Sequence, residues 1–170
     1  MRSAAGTIVT ERLRLLPLAV DDAEEMVTVF ADERMYEFTG GCPPSLDQLR
    51  ERYRHLIVGQ SADGSEHWLN WVVRLAADDL AVGAMQATVA TDRSSADVAW
   101  EVGVPWQGQG IASEGAAAVV EWLVGEGVRT ISAHIHPAHH ASGRVAASAG
   151  LSPTTEVVDG ETVWRRIGAT

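Results

Sequence analysis

The stretch Val102-Gly-Val-Pro-Trp-Gln-Gly-Gln-Gly-Ile-Ala-Ser-Glu114 constrains this chain more than any other. An apolar strand runs into a glycine-rich turn, and the turn opens a helix. The first N–H groups of a helix lack internal partners and carry the positive end of the aligned peptide dipoles. Gly108 and Gly110 let an anion approach them closely. The product is a cradle of phosphate size; the plainer reading is an ordinary strand-to-helix connection. No Gly-Lys-Ser/Thr follows the turn and no third glycine completes a dinucleotide fingerprint, which sets two other nucleotide loops aside.

The rest of the chain is read outward from this unit. Leu13, Leu15 and Leu18 mark a first strand ending near Pro17. Asp21 and Asp22 open a helix through Met26, Val27, Val29 and Phe30. Arg34 to Pro44, a loop or broken helix, carries Tyr36 and Phe38 and contains Cys42. Ser45 and Gln48 stand at capping-box spacing before a stripe of Leu46, Leu49, Tyr53, Leu56 and Ile57. Three antiparallel strands follow, His67 to Leu75, Leu80 to Thr91 and Ala96 to Val104. The cradle helix spans roughly Gly110 to Val124, and Gly125 and Gly127 end it. Val128 to His136 returns as a strand parallel to the cradle strand, because a strand-helix-strand crossover favours that arrangement. A short helix over about Ala141 to Ala149 and a hairpin about Asp159-Gly160 complete the order.

Gln107-Gly108-Gln109-Gly110-Ile111-Ala112 resembles the Q/R-x-x-G-x-G/A motif of the GNAT family of N-acetyltransferases, and the element order from Leu13 to Arg166 resembles that family's fold. Thr10-Glu11-Arg12-Leu13-Arg14-Leu15 and Glu101-Val102-Gly103-Val104 are most similar to the branch that acetylates ribosomal-protein amino termini and many small amines. The resemblance implies an α/β fold with a mixed, mostly antiparallel sheet of six to seven strands flanked by about four helices. It implies one domain over residues 1–170, acetyl-CoA as co-substrate without a metal, and direct transfer of acetyl to a primary amine. The acceptor is either a small molecule or a protein N-terminus, and a homodimer is a plausible assembly for this branch. The alternative is a CoA-binding or regulatory module without efficient catalysis.

Acetyl transfer needs an unprotonated amine, a polarised carbonyl and a proton for the leaving thiolate. The resemblance places Glu101 as general base through a water, against a solvent-facing carboxylate or one paired with an arginine. A backbone N–H within Val102, Gly103 and Val104 is the expected carbonyl polariser. The cradle residues Gln107, Gly108, Gln109, Gly110, Ile111, Ala112 and Ser113 are expected to hold the pyrophosphate. Ser142 matches the family's serine acid, against a hydroxyl that caps the helix. His139 stands where the family usually has asparagine, beside the pantetheine arm, and imidazole differs in reach and titrates near neutrality. Tyr36, Phe38, Trp68 and Trp71 are candidate walls for the acceptor, with a core role open for the tryptophans. His134, His136, His139 and His140 invite a metal reading, but nothing in their spacing fixes a ligand geometry. Glu114 suits the dipole of the first helical turn.

Charge narrows the partners. The chain has 13 basic and 23 acidic residues, a net charge of -10, which disfavours general nucleic-acid binding. The lone Cys42, between glycine and proline pairs, forms no internal disulfide and fits a reducing compartment. The first residues lack a secretion-signal core and no apolar run is long enough to span a bilayer, so a cytoplasmic protein without membrane partners is expected.

Overall fold

The structure, a computed structural model, describes residues 5–167. In chain order the strands and α-helices are β1 (Ile8–Val9), β2 (Leu13–Pro17), α1 (Ala23–Val29), α2 (Leu46–Leu56), β3 (Glu66–Leu75), β4 (Ala81–Ala90) and β5 (Ser95–Val102). There follow α3 (Ile111–Gly125), β6 (Thr130–Ile135), α4 (His140–Ser148), β7 (Ser152–Val158) and β8 (Glu161–Ile167). The eight strands form one sheet in the order β1-β2-β3-β4-β5-β6-β8-β7. The expected six to seven strands omit β1, which at two residues is too short to show an alternating pattern.

Local chemistry sets several boundaries. Ser45 Oγ accepts from the Gln48 N–H at 3.2 Å and Gln48 Oε1 accepts from the Ser45 N–H at 2.9 Å, the reciprocal bonds of a capping box at the head of α2. Asp159 and Gly160, at φ 50° and 82°, turn β7 into β8. The strand expected to reach Val104 stops at Val102, because Gly103 and Pro105 start a short 3₁₀ turn over Val104–Trp106. Ile57 falls past the last turn of α2 and is 50% exposed, so the apolar stripe closes at Leu56.

Helices cover both faces of the sheet. Met26, Leu49 and Tyr53 from α1 and α2 pack on Val72 and Ala81. Val119, Val120 and Leu123 from α3 and Ala146 from α4 pack with Trp71, Val73, Val98 and Ile131. Neighbours such as Trp71, Val72 and Val73 are all fully buried because alternate side chains each meet a helical layer. Gly83 of β4 lies opposite Val102, and a Cβ there would stand 2.2 Å from the Glu101 carbonyl oxygen. Only glycine allows the two strands to approach this closely.

Candidate active site

The sheet is parallel at one place, between β5 and β6, and the pairing there covers only Ser95/Thr130, Ala96/Ile131 and Asp97/Ser132. Beyond these pairs a cleft of about 260 Å³ lies between Val98–Glu101 on β5 and Ala133–His136 at the end of β6. Successive N–H groups of a strand point to opposite neighbours. The Gly103 N–H donates to the Val82 carbonyl at 2.8 Å, so the Val102 N–H is turned toward the side without a partner strand. Of the expected carbonyl polarisers, the Gly103 N–H is thus engaged with β4 and the Val102 N–H turns away from it.

The cradle follows at the end of β5. Gly108 and Gly110 take φ of 74° and 79°, a left-handed conformation that side chains resist. Gln107 Nε2 donates to the Val102 carbonyl at 2.9 Å and Gln109 Nε2 to the Pro105 carbonyl at 3.3 Å, so both side chains shape the turn. Gly110 is the N-cap of α3 and offers no side-chain acceptor. Among the described residues, the N–H groups of Ile111, Ala112 and Ser113 consequently have none, while the Ile111 side chain is anchored in the core. These groups fit an anion such as the CoA pyrophosphate.

Glu114 does more than complement the dipole. Its carboxylate accepts from Thr10 Oγ1 at 2.6 Å, from the Arg12 N–H at 2.9 Å and from Arg12 Nε at 2.7 Å, tying the segment before β2 to α3. Burial disfavours its charge, but the bonds from Thr10 and Arg12 outweigh that and hold its pKa below the usual value. Arg12 Nη1 also donates to the Gln109 carbonyl at 2.9 Å. One cradle carbonyl is thereby bound away from an incoming anion. Sequence reasoning missed this role of Arg12, for which the only signal was its place in Thr10-Glu11-Arg12-Leu13.

Glu101 and Ser142 both line the cleft. Glu101 pairs across β4 with Ala84 and shares its face, the side of α1 and α2. Its carboxylate is open to the cleft but surrounded by protein, and the resulting desolvation raises its pKa, with Arg52 acting in the opposite sense. It makes no hydrogen bond or ion pair among the described residues. Ser142 approaches from α4. It does not cap that helix; its hydroxyl accepts from Trp100 Nε1 at 3.1 Å. With its oxygen held by the indole, the hydroxyl proton is free to donate elsewhere. Trp100 is a second residue missed in the sequence, where it registered only as an apolar position of β5.

His139 lies at the N-cap of α4, lines the cleft and stacks on Phe38 with ring centroids 4.4 Å apart. Burial, assisted by His136 and opposed by Glu37, lowers its pKa and favours neutral imidazole. Phe38 also meets His136 at 5.5 Å, so the α1–α2 loop reaches across to the β6–α4 loop. Tyr36 is not among the residues lining the cleft; its hydroxyl donates to the Phe30 carbonyl at 3.0 Å. Trp71 lines the cleft from the core side: its indole is fully buried, donates to the Gly6 carbonyl at 2.8 Å and meets Trp122 edge-on. Trp68 meets His55 in a tilted ring contact, centroids 4.9 Å apart, beside a separate small hollow. The histidines are dispersed: His134 Nε2 faces Asp97 Oδ1 at 3.4 Å, and His136 Nδ1 accepts from the Ala138 N–H. Among the described residues no group of three or more His, Cys, Asp or Glu side chains is disposed to hold a metal, and no helix is long and apolar enough to cross a membrane.

Residues 12–152 match the family model described as an acetyltransferase (GNAT) domain. Among solved structures, the GNAT-family acetyltransferase from Bacillus anthracis aligns with a TM-score of 0.77 and 16% identity, over 95% of this chain and 98% of that one. RimL, the ribosomal L7/L12 alpha-N-protein acetyltransferase in complex with coenzyme A, gives 0.78 and 15% over 96% and 98%. The aminoglycoside acetyltransferase AAC(6')-Ib in complex with coenzyme A gives 0.73 and 17% over 91% and 94%. At these identities the likeness is one of fold. No curated protein matches the chain.

Proposed function

The chain belongs to the acetyltransferase (GNAT) family, and on that premise we propose that it transfers acetyl from acetyl-CoA directly to a primary amine, with Glu101 as base and Ser142 as acid. The observation that carries this reading is the cleft between β5 and β6, which Glu101 and Ser142 both line, with the glycine turn following β5 at the head of α3.

Acetyl-CoA supplies an activated acyl group as a thioester. The unpartnered N–H groups at the head of α3 hold its pyrophosphate, and Gly108 and Gly110 keep the approach clear. The Val102 N–H stabilises charge developing on the carbonyl oxygen. Glu101 takes the proton of the attacking amine, directly or through a water, and its raised pKa brings it nearer to the working pH of a base. Ser142, oriented by Trp100, donates toward the departing sulfur. Cys42 is exposed in the α1–α2 loop and has no place in this scheme.

The acceptor is a small-molecule amine or a protein N-terminus, both of which appear among substrates named for the structural neighbours. A cytoplasmic location and a homodimer complete the proposal. Calorimetric titration with acetyl-CoA tests its foundation. Saturable binding is expected, and a variant with Gly108→Val and Gly110→Val is expected to lose it while keeping its circular dichroism. Absence of binding by the parent protein would sink both the cradle and the function.

A further inference from the structure

Helix α2 carries Arg50, Arg52 and Arg54, and they have different fates. Arg50 pairs with Glu24 at 2.8 Å and Arg54 with Glu51 at 3.1 Å. Arg52 stands three residues after Leu49 and four before Leu56, which puts it on the flank of the helix that packs inward. It lines the cleft with Tyr53 and Glu101, and among the described residues its guanidinium makes no hydrogen bond or ion pair. Beside it is a polar group closed off from solvent. The Tyr53 side chain is 3% exposed and its hydroxyl has no hydrogen-bond partner among the described residues. A buried hydroxyl without a partner is uncommon enough to need a reason.

The other charges of the cleft are differently disposed. Asp97 faces His134 across the gap, and Glu161 borders the opposite side. Phe30 and Phe38 wall the space near Arg52, and the stack of Phe38 on His139 bridges the α1–α2 and β6–α4 loops. The cleft thus offers a carboxylate base, an aromatic wall and an unengaged guanidinium on one face of the sheet. A guanidinium presents a planar fork of donors suited to a carboxylate.

We propose that the acceptor is a small amino-carboxylate, whose amine is presented to Glu101 while its carboxylate is received by Arg52. This rests on the acetyl-transfer reading above and specifies its substrate class. Arg52 is then a specificity residue that selects zwitterions over plain amines and diamines of the same length.

The test measures CoA release with three probe series: glycine, β-alanine, γ-aminobutyrate and δ-aminovalerate; the n-alkylamines of matching length; and the matching diamines. The parent protein is compared with Arg52→Gln and Arg52→Glu, and acetyl-CoA calorimetry on each variant reports whether the fold and cradle survive. The best amino-carboxylate is expected to exceed its alkylamine by about tenfold or more in kcat/KM, mainly through KM, as suits one charge-assisted contact. Arg52→Gln is expected to erase that ratio and Arg52→Glu to shift preference to the diamine. An alkylamine or diamine matching the amino-carboxylates in the parent protein overturns the proposal, as does a ratio unchanged in Arg52→Gln. So does failure to acetylate any amino-carboxylate; turnover of another amine would then leave the acetyltransferase reading standing, and loss of acetyl-CoA binding would remove that as well.

Discussion

The Glu101 side chain is exposed to the cleft, yet the protein around it disfavours the charged form and raises its pKa, which sets the pH range in which it can accept a proton. In acid it is neutral in both the folded and unfolded chain. As pH rises, the unfolded chain ionises first, because the folded-state pKa is raised by desolvation. Its contribution to stability therefore declines from the ordinary carboxylate pKa of about 4.3 up to the folded value. Glu101→Gln is expected to lower kcat/KM by about 10²- to 10⁴-fold and to raise the melting temperature near neutral pH but not in acid. A variant that keeps full activity would show that Glu101 is not the base, and one less stable at neutral pH that its charge is not disfavoured by burial. Ser142 and Trp100 form a coupled pair, joined at 3.1 Å. Ser142→Ala is expected to lower kcat by about 10²-fold, Trp100→Phe by less, and the double variant by no more than Ser142→Ala alone. Strictly additive losses would mean that Trp100 acts on its own account. Glu101 and Ser142 were singled out because a motif marks their positions, and both line the cleft. The Trp100 contact was not, since its partner is 42 positions away.

At the scale of elements, the site depends on how closely β4 approaches β5. A Cβ at Gly83 would lie 2.2 Å from the Glu101 carbonyl oxygen, where real contacts stay beyond 3.0 Å. Gly83→Ala must push that stretch of β5 aside by about 1 Å, and a displacement of this size costs on the order of 10²-fold in rate when it moves a reacting group. Steady-state kinetics is expected to show this loss in kcat, with acetyl-CoA affinity changed less, because the cradle glycines lie beyond the displaced residues. Unchanged kcat would detach the position of Glu101 from this approach. Elements with local signals were readable in advance. The capping box announced α2, Asp159-Gly160 announced the hairpin, and the crossover through α3 fixed β6 parallel to β5. β1 is too short to carry a period. The early end of β5 was hidden because Val104 continues its apolar alternation, although Pro105 already interrupts it.

For the molecule as a whole, stability resides in the two packed faces rather than in the surface charges. Leu123 on α3 is 0% exposed, and Leu123→Ala is expected to cost about 2–5 kcal/mol, read as a lowered denaturant midpoint at unchanged slope. A loss below about 1 kcal/mol would mean that this face is loosely packed. Most ion pairs are partly exposed, with Arg54 and Glu51 side chains at 57% and 78%, and such pairs contribute roughly 0–1 kcal/mol each. Near-neighbour chemistry along the chain sufficed to establish the α/β order, the helix starts, the hairpin turn and the glycine turn that opens α3, because glycine conformations, caps and periodic burial act over a few residues. Long-range placement required the folded chain. The insertion of β8 between β6 and β7, the burial of Trp71, the tether from Arg12 to Glu114 and the meeting of Phe38 with His139 join residues far apart in sequence. Such contacts depend on which faces the packed layers turn toward one another, and no local pattern encodes that choice.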